Sequence, residues 1–162
     1  MKDNMNLQKV TAVLESPIRE AIQALLEDET TVFWVDWREE DDAIVEYCEA
    51  VLQTGSLSAE LVEGETFEIY IQYRDKRIKV ALTYSMDDRH ITICALNDAL
   101  APDYEVRFCI DSNGSDTLAF IPLAKSTWIE IERLYGDKVS KHFYEIAAKP
   151  NLFNGSLPPE WP

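Results

Sequence analysis

From its N-terminus the chain carries apolar residues at helical spacing, then packs them into one short run, then spaces them helically again. Leu7, Val10 and Leu14 fall on one face of a predicted helix. Ser16 and Pro17 supply an N-cap and a favoured first residue for a second helix reaching about Glu27. Its apolar stripe is Ile18, Ile22, Leu25 and Leu26, with Arg19, Glu20 and Gln23 outward. Thr31 to Trp37 reads as a strand, because Val32, Phe33, Trp34 and Val35 are β-branched or aromatic. Glu40 to Thr54 follows as a helix, with Ile44, Cys48, Val51 and Leu52 on one side and Asp42, Glu46 and Glu49 on the other. Gly55 is placed to end it.

Between Leu57 and Tyr84 the period becomes two. Phe67, Ile69 and Ile71 alternate with Glu68, Tyr70 and Gln72, and Ile78, Val80 and Leu82 alternate with Lys79, Ala81 and Thr83. This predicts a hairpin turning at Asp75 and Lys76, with Ala59 to Val62 as a third antiparallel strand. Asp87 and Asp88 start a helix through Leu100 that Pro102 stops; a strand over His90 to Ala95 competes with it, and the helix is preferred. Tyr104 to Ile110 and Thr117 to Leu123 form a second hairpin around Gly114. Ser126 caps a helix carrying Trp128, Ile129, Ile131 and Leu134, Gly136 breaks it, and Asp137 caps another with Val139, Phe143 and Ile146. Residues 150–162 read as an extended tail pinned by Phe153 or Trp161. The expectation is one α+β domain over residues 1–162, a mainly antiparallel sheet built from hairpins and flanked by helices.

Composition narrows the class. A 162-residue chain that is 46% hydrophobic buries a core without disulfides, and no apolar run is long enough to span a membrane. The N-terminal segment has no apolar export region, which points to the cytoplasm. Cys48, Cys94 and Cys109 lie in apolar patterns and read as buried free thiols. Net charge is -15, and it is lopsided: residues 1–68 hold 17 acids and 4 bases, residues 69–162 hold 13 acids and 11 bases. Such a surface repels phosphate backbones and attracts basic proteins.

Candidate chemistry is sparse. There is no glycine-rich phosphate loop, no GxSxG, CxxC or HExxH spacing, and no catalytic residue or cofactor is assigned. His90 and Cys94 are half of a metal site that nothing completes, and His142 fits a capping or core role. The acids from Asp36 to Asp42 could hold Mg²⁺ or Ca²⁺ for a metal-dependent hydrolase, but they lack the spacing of a calcium loop. Arg74, Lys76, Arg77 and Lys79 cluster at the hairpin turn, where a nucleic-acid module would use them and where edge protection explains them as well. Protein recognition accounts for more of the pattern. Seven acids face one base, Arg38, between Asp36 and Glu49, beside Trp34, Trp37 and Tyr47. Carboxylates steer association while aromatic rings anchor it, which selects Trp37, Glu39, Glu40, Asp41, Asp42 and Glu46 as partner-binding residues.

The segments TVFWVDWREEDD, EIYIQYRDKRIKVALT, ALNDALAPDYEVRF and SDTLAFIPLAKSTWIEIERLYG, in that order between Pro17 and Ile146, resemble the small acidic immunity proteins of bacterial contact-dependent growth-inhibition systems. That resemblance implies a sheet flanked by helices, similar to the Whirly fold, and no catalytic residues. It also implies a stoichiometric inhibitor of the toxic C-terminal domain of a neighbour-delivered effector, a basic nuclease.

Overall fold

The computed structural model describes residues 2–153, with side chains from residue 7 onward. Helix α1 (Lys2–Glu15) and helix α2 (Arg19–Leu26) lead into strand β1 (Phe33–Asp36) and helix α3 (Asp41–Leu52). Strands β2 (Leu57–Val62), β3 (Glu68–Tyr73) and β4 (Lys76–Lys79) precede helix α4 (Asp88–Leu100). Strands β5 (Tyr104–Cys109) and β6 (Thr117–Ala124), helices α5 (Lys125–Tyr135) and α6 (Lys138–His142), and strand β7 (Phe143–Glu145) complete it. The α+β expectation holds, with two antiparallel sheets rather than one, ordered β1-β6-β5-β7 and β2-β3-β4. No helix among the described residues is long and apolar enough to cross a membrane.

Strand alternation explains the layering. Phe33 and Val35 of β1, Val106 and Phe108 of β5, and Leu118 and Phe120 of β6 turn one face of the larger sheet toward Ile44 and Cys48 of α3 and Ile93 and Leu96 of α4. Ala119, Ile121 and Leu123 turn the opposite face toward α1, α2, α5 and α6, around the fully buried Trp128. Helices α3 and α4 also pack against Ile69, Ile71 and Tyr73 of the smaller sheet. Helix α4 is thus covered on both sides, which is why it buries residues all round instead of along one stripe. Pro122 is tolerated inside β6 because β1 pairs only with Thr117 to Phe120 and leaves no partner waiting for its missing N–H.

Five local readings need correction. Ser16 is not the cap of α2: the helix starts at Arg19 after an extended Ile18, whose N–H bonds the Ser16 carbonyl at 2.7 Å. Ser126 lies inside α5, whose start at Lys125 follows directly from β6. The α3 C-cap is Gln53 in the left-handed region (φ 54°), not Gly55. The first hairpin turns one residue earlier than expected, at Arg74 and Asp75, because Tyr73 pairs with Lys76. Phe143 and Ile146 are not helical: Phe143–Glu145 is β7, which adds to the free edge of β5 with Cys109 opposite Phe143. Of the tail, Leu152 is buried and the Phe153 ring stacks on Phe120 at 6.0 Å, while Trp161 lies outside the described residues.

Candidate functional site

The acidic segment joins β1 to α3 at the rim of the larger sheet. Alternation in β1 buries Phe33 and Val35 and sends Trp34 to the other face, where it stays 37% exposed and its indole N–H donates to the Leu26 carbonyl at 2.9 Å. Asp36 accepts from the Arg38 backbone at 2.8 Å and from its guanidinium at 3.0 Å, and these bonds hold its carboxyl down at about 2. The same guanidinium lies 5.4 Å from the Trp37 ring centroid. One face of Trp37 is therefore covered by the chain's own cation.

Asp41 separates from its neighbours. It is 7% exposed, with Arg89 Nε of α4 at 2.8 Å and the Thr92 hydroxyl donating to it at 3.0 Å. The Arg89 contact is an ion pair whose angle falls outside hydrogen-bond geometry, since Nε has no hydrogen-bonded partner. Burial pushes the Asp41 carboxyl above its ordinary value, against the pull of Arg89 and Thr92. Arg89 also donates to the Glu39 carbonyl at 2.7 Å, so α4 clamps the start of α3 from below. Asp41 is a structural residue, not part of the accessible acidic face assigned to it from the sequence. Glu49 is committed as well, accepting from Thr54 and from the Gly55 N–H at 2.7 Å where the helix ends.

What stays accessible is a smaller set. Glu40 and Glu46 are exposed, Glu39 and Asp42 half-buried, and among the described residues none of the four joins an ion pair. Trp37 is half-buried beside them. Tyr47 is 37% exposed; burial first, then the charges of Glu39 and Glu46, raise its phenol. Trp34, Tyr47 and exposed Glu29 line a groove of about 380 Å³ beside this set, together with Glu39. Trp34 and Tyr47 belong to the site more directly than Trp37, and the alternation of β1 is the signal that separates the two tryptophans.

The other candidates are tied into the fold. Arg74 pairs with Asp103 at 3.1 Å, Arg77 with Glu60 and Lys79 with Glu68, both at 3.3 Å, and Lys76 donates to the Asp98 and Ala101 carbonyls at the end of α4. Arg77 also lies 3.7 Å above the Tyr70 ring. His90 is buried, with Nε2 2.8 Å from the Ala147 carbonyl and Nδ1 accepting from Leu152 N–H at 3.4 Å, while Cys94 Sγ lies 3.7 Å from the same carbonyl. This histidine and cysteine hold the segment after β7. His142 Nδ1 sits 2.7 Å from Asp111. Among the described residues no three His, Cys, Asp or Glu side chains converge where a metal ion could sit. Cys48 and Cys109 are buried free thiols raised by burial, and Cys94 is half-buried.

Compared with protein families, curated proteins and solved structures, the chain matches none of them. The Whirly-like expectation thus gains no structural counterpart.

Proposed function

We propose that this chain is an immunity protein: it binds the toxic C-terminal domain of a neighbour-delivered effector, a basic nuclease, and blocks its access to RNA or DNA. It acts in the cytoplasm, where that nuclease meets its substrate. The observation that carries this reading is the unneutralised set Glu39, Glu40, Asp42 and Glu46 at the start of α3, next to exposed aromatic rings. Arg38, Arg89, Arg74, Arg77 and Lys79 pair instead with Asp36, Asp41, Asp103, Glu60 and Glu68, and none of these five bases pairs with the four carboxylates. A nuclease presents positive charge to a phosphate backbone, and a carboxylate face on a clamped helix competes for the same field. A nucleic-acid module on the smaller sheet would have to break the pairs that hold Arg74, Arg77 and Lys79.

The test is calorimetric titration into the toxin-like domain encoded by the neighbouring gene, with nuclease activity followed in parallel. One-to-one binding with loss of activity is the expected result. Absence of binding at low salt would overturn the proposal.

A further inference from the structure

We infer that the groove between β1 and α3 is a socket for one cationic side chain, an arginine or lysine, presented by a protein partner. The inference deepens the reading above and rests on it for the partner's identity, but the socket has its own geometry. Its lining brings together the partly exposed Trp34 and Tyr47, buried Val32, exposed Ala50, and the carboxylates of Glu29 and Glu39. Such a cavity matches an arginine part by part. The apolar lining suits the methylene stem, an aromatic ring suits the guanidinium, and the two carboxylates accept its N–H groups.

Charge decides the occupant. An apolar knob would strip water from two carboxylates without replacing the lost hydrogen bonds, and an anion would be repelled by both. The chain itself uses arginine on aromatic rings repeatedly, on Trp37, Tyr70, Tyr73 and Trp128. Among the described residues neither Trp34 nor Tyr47 carries such a cation.

The experiment uses the isotope-labelled full chain and two probes of equal shape, N-acetyl-argininamide and its uncharged analogue N-acetyl-citrullinamide, followed by amide and indole chemical shifts. Saturable shifts at the Trp34 indole and at Glu39 and Tyr47 are expected with the arginine probe alone. Tyr47→Ala, or Glu39→Gln as the shape-preserving variant, should weaken the probe by about five-fold, the scale of one cation–π or charged contact. Equal responses to both probes, or shifts spread evenly over Glu40, Asp42 and Glu46, would overturn the socket. Titration of the toxin domain keeps the two readings apart. Unchanged toxin affinity in Tyr47→Ala overturns the socket and leaves the immunity reading standing. A toxin that fails to bind the wild-type chain overturns the immunity reading, while the probe result still decides the socket.

Discussion

Substitutions within four consecutive acidic positions should separate a structural acid from steering acids. Asp41→Asn removes the partner of Arg89, whose side chain is only 15% exposed. Breaking a fully buried ion pair costs about 3–5 kcal/mol. Arg89 keeps its bond to the Glu39 carbonyl and some water, and burial already works against the Asp41 charge, so a smaller loss of about 2 kcal/mol is expected. Glu40→Gln and Asp42→Asn touch no ion pair and should stay within about 0.5 kcal/mol of wild type in urea unfolding. Association reverses the ranking of information. Electrostatic steering is worth roughly 10²–10³ in rate for a whole charged face, which is about three- to five-fold for each of four unpaired carboxylates. Stopped-flow mixing with the toxin domain at low salt should show that loss for Glu40→Gln and Asp42→Asn, and salt should erase it. The charge-neutral double variant Asp41→Asn/Arg89→Gln leaves the field unchanged and should associate at the wild-type rate. If Asp41→Asn unfolds like wild type, or if Glu40→Gln and Asp42→Asn associate at the wild-type rate at low salt, the division of the cluster is wrong.

Three further outcomes follow from the core. Leu152→Ala should cost about 2–3 kcal/mol in denaturant unfolding despite its place near the C-terminal tail, because the side chain is 2% exposed; a loss under about 0.5 kcal/mol would mean the segment does not pack. His90 is held below its ordinary value of 6.5 by burial, which outweighs its bonds to Ala147 and Ala148. The unfolded chain therefore binds the proton more readily, so His90's contribution is complete above that value and is lost as pH falls from it toward the depressed folded value. Melting temperature across this window should fall for wild type and stay flatter for His90→Gln; parallel curves would refute the assignment. Arg107 has a side chain 2% exposed, set among Glu105, Glu132 and Glu145 and 4.3 Å from the Trp128 ring. Arg107→Met should cost only about 1–2 kcal/mol, since Glu132 and Glu145 reach water and Glu105 retains Lys125, and a loss above about 4 kcal/mol would show that they do not relax.

Element type was legible where one local period dominated. The alternation of β3 left little choice, and the helix preferred for α4 over a competing strand at His90 to Ala95 is the element that forms. Failures came where a distant partner decided. Phe143 fits a helical stripe with Val139, yet the open edge of β5 and the Trp128 ring 5.6 Å away draw it into a strand. Ser16 and Ser126 have capping chemistry, but the chain enters α2 through an extended Ile18 and enters α5 straight from β6. Caps are local rules, and the entry path is set by what the preceding element is paired to.

The acidic segment shows the same limit at the site. Seven carboxylates in a row of residues look interchangeable, because a sequence displays charge and hides pairing. The fold brings Arg89 up beneath Asp41, Arg38 back onto Asp36, and Thr54 and Gly55 onto Glu49. Each pairing removes one acid from the surface field that a partner meets at contact distance and converts it into a clamp on the β1–α3 junction. The acids that remain gain from the ones withdrawn, because Glu40 and Asp42 now project from a helix start whose orientation is fixed. Arg38 does to Trp37 what Arg89 does to Asp41, while Trp34, turned over by the pleat of β1, keeps an open ring. A partner-binding surface here is thus defined less by where charge and aromaticity are dense than by which groups the fold has left without an internal partner.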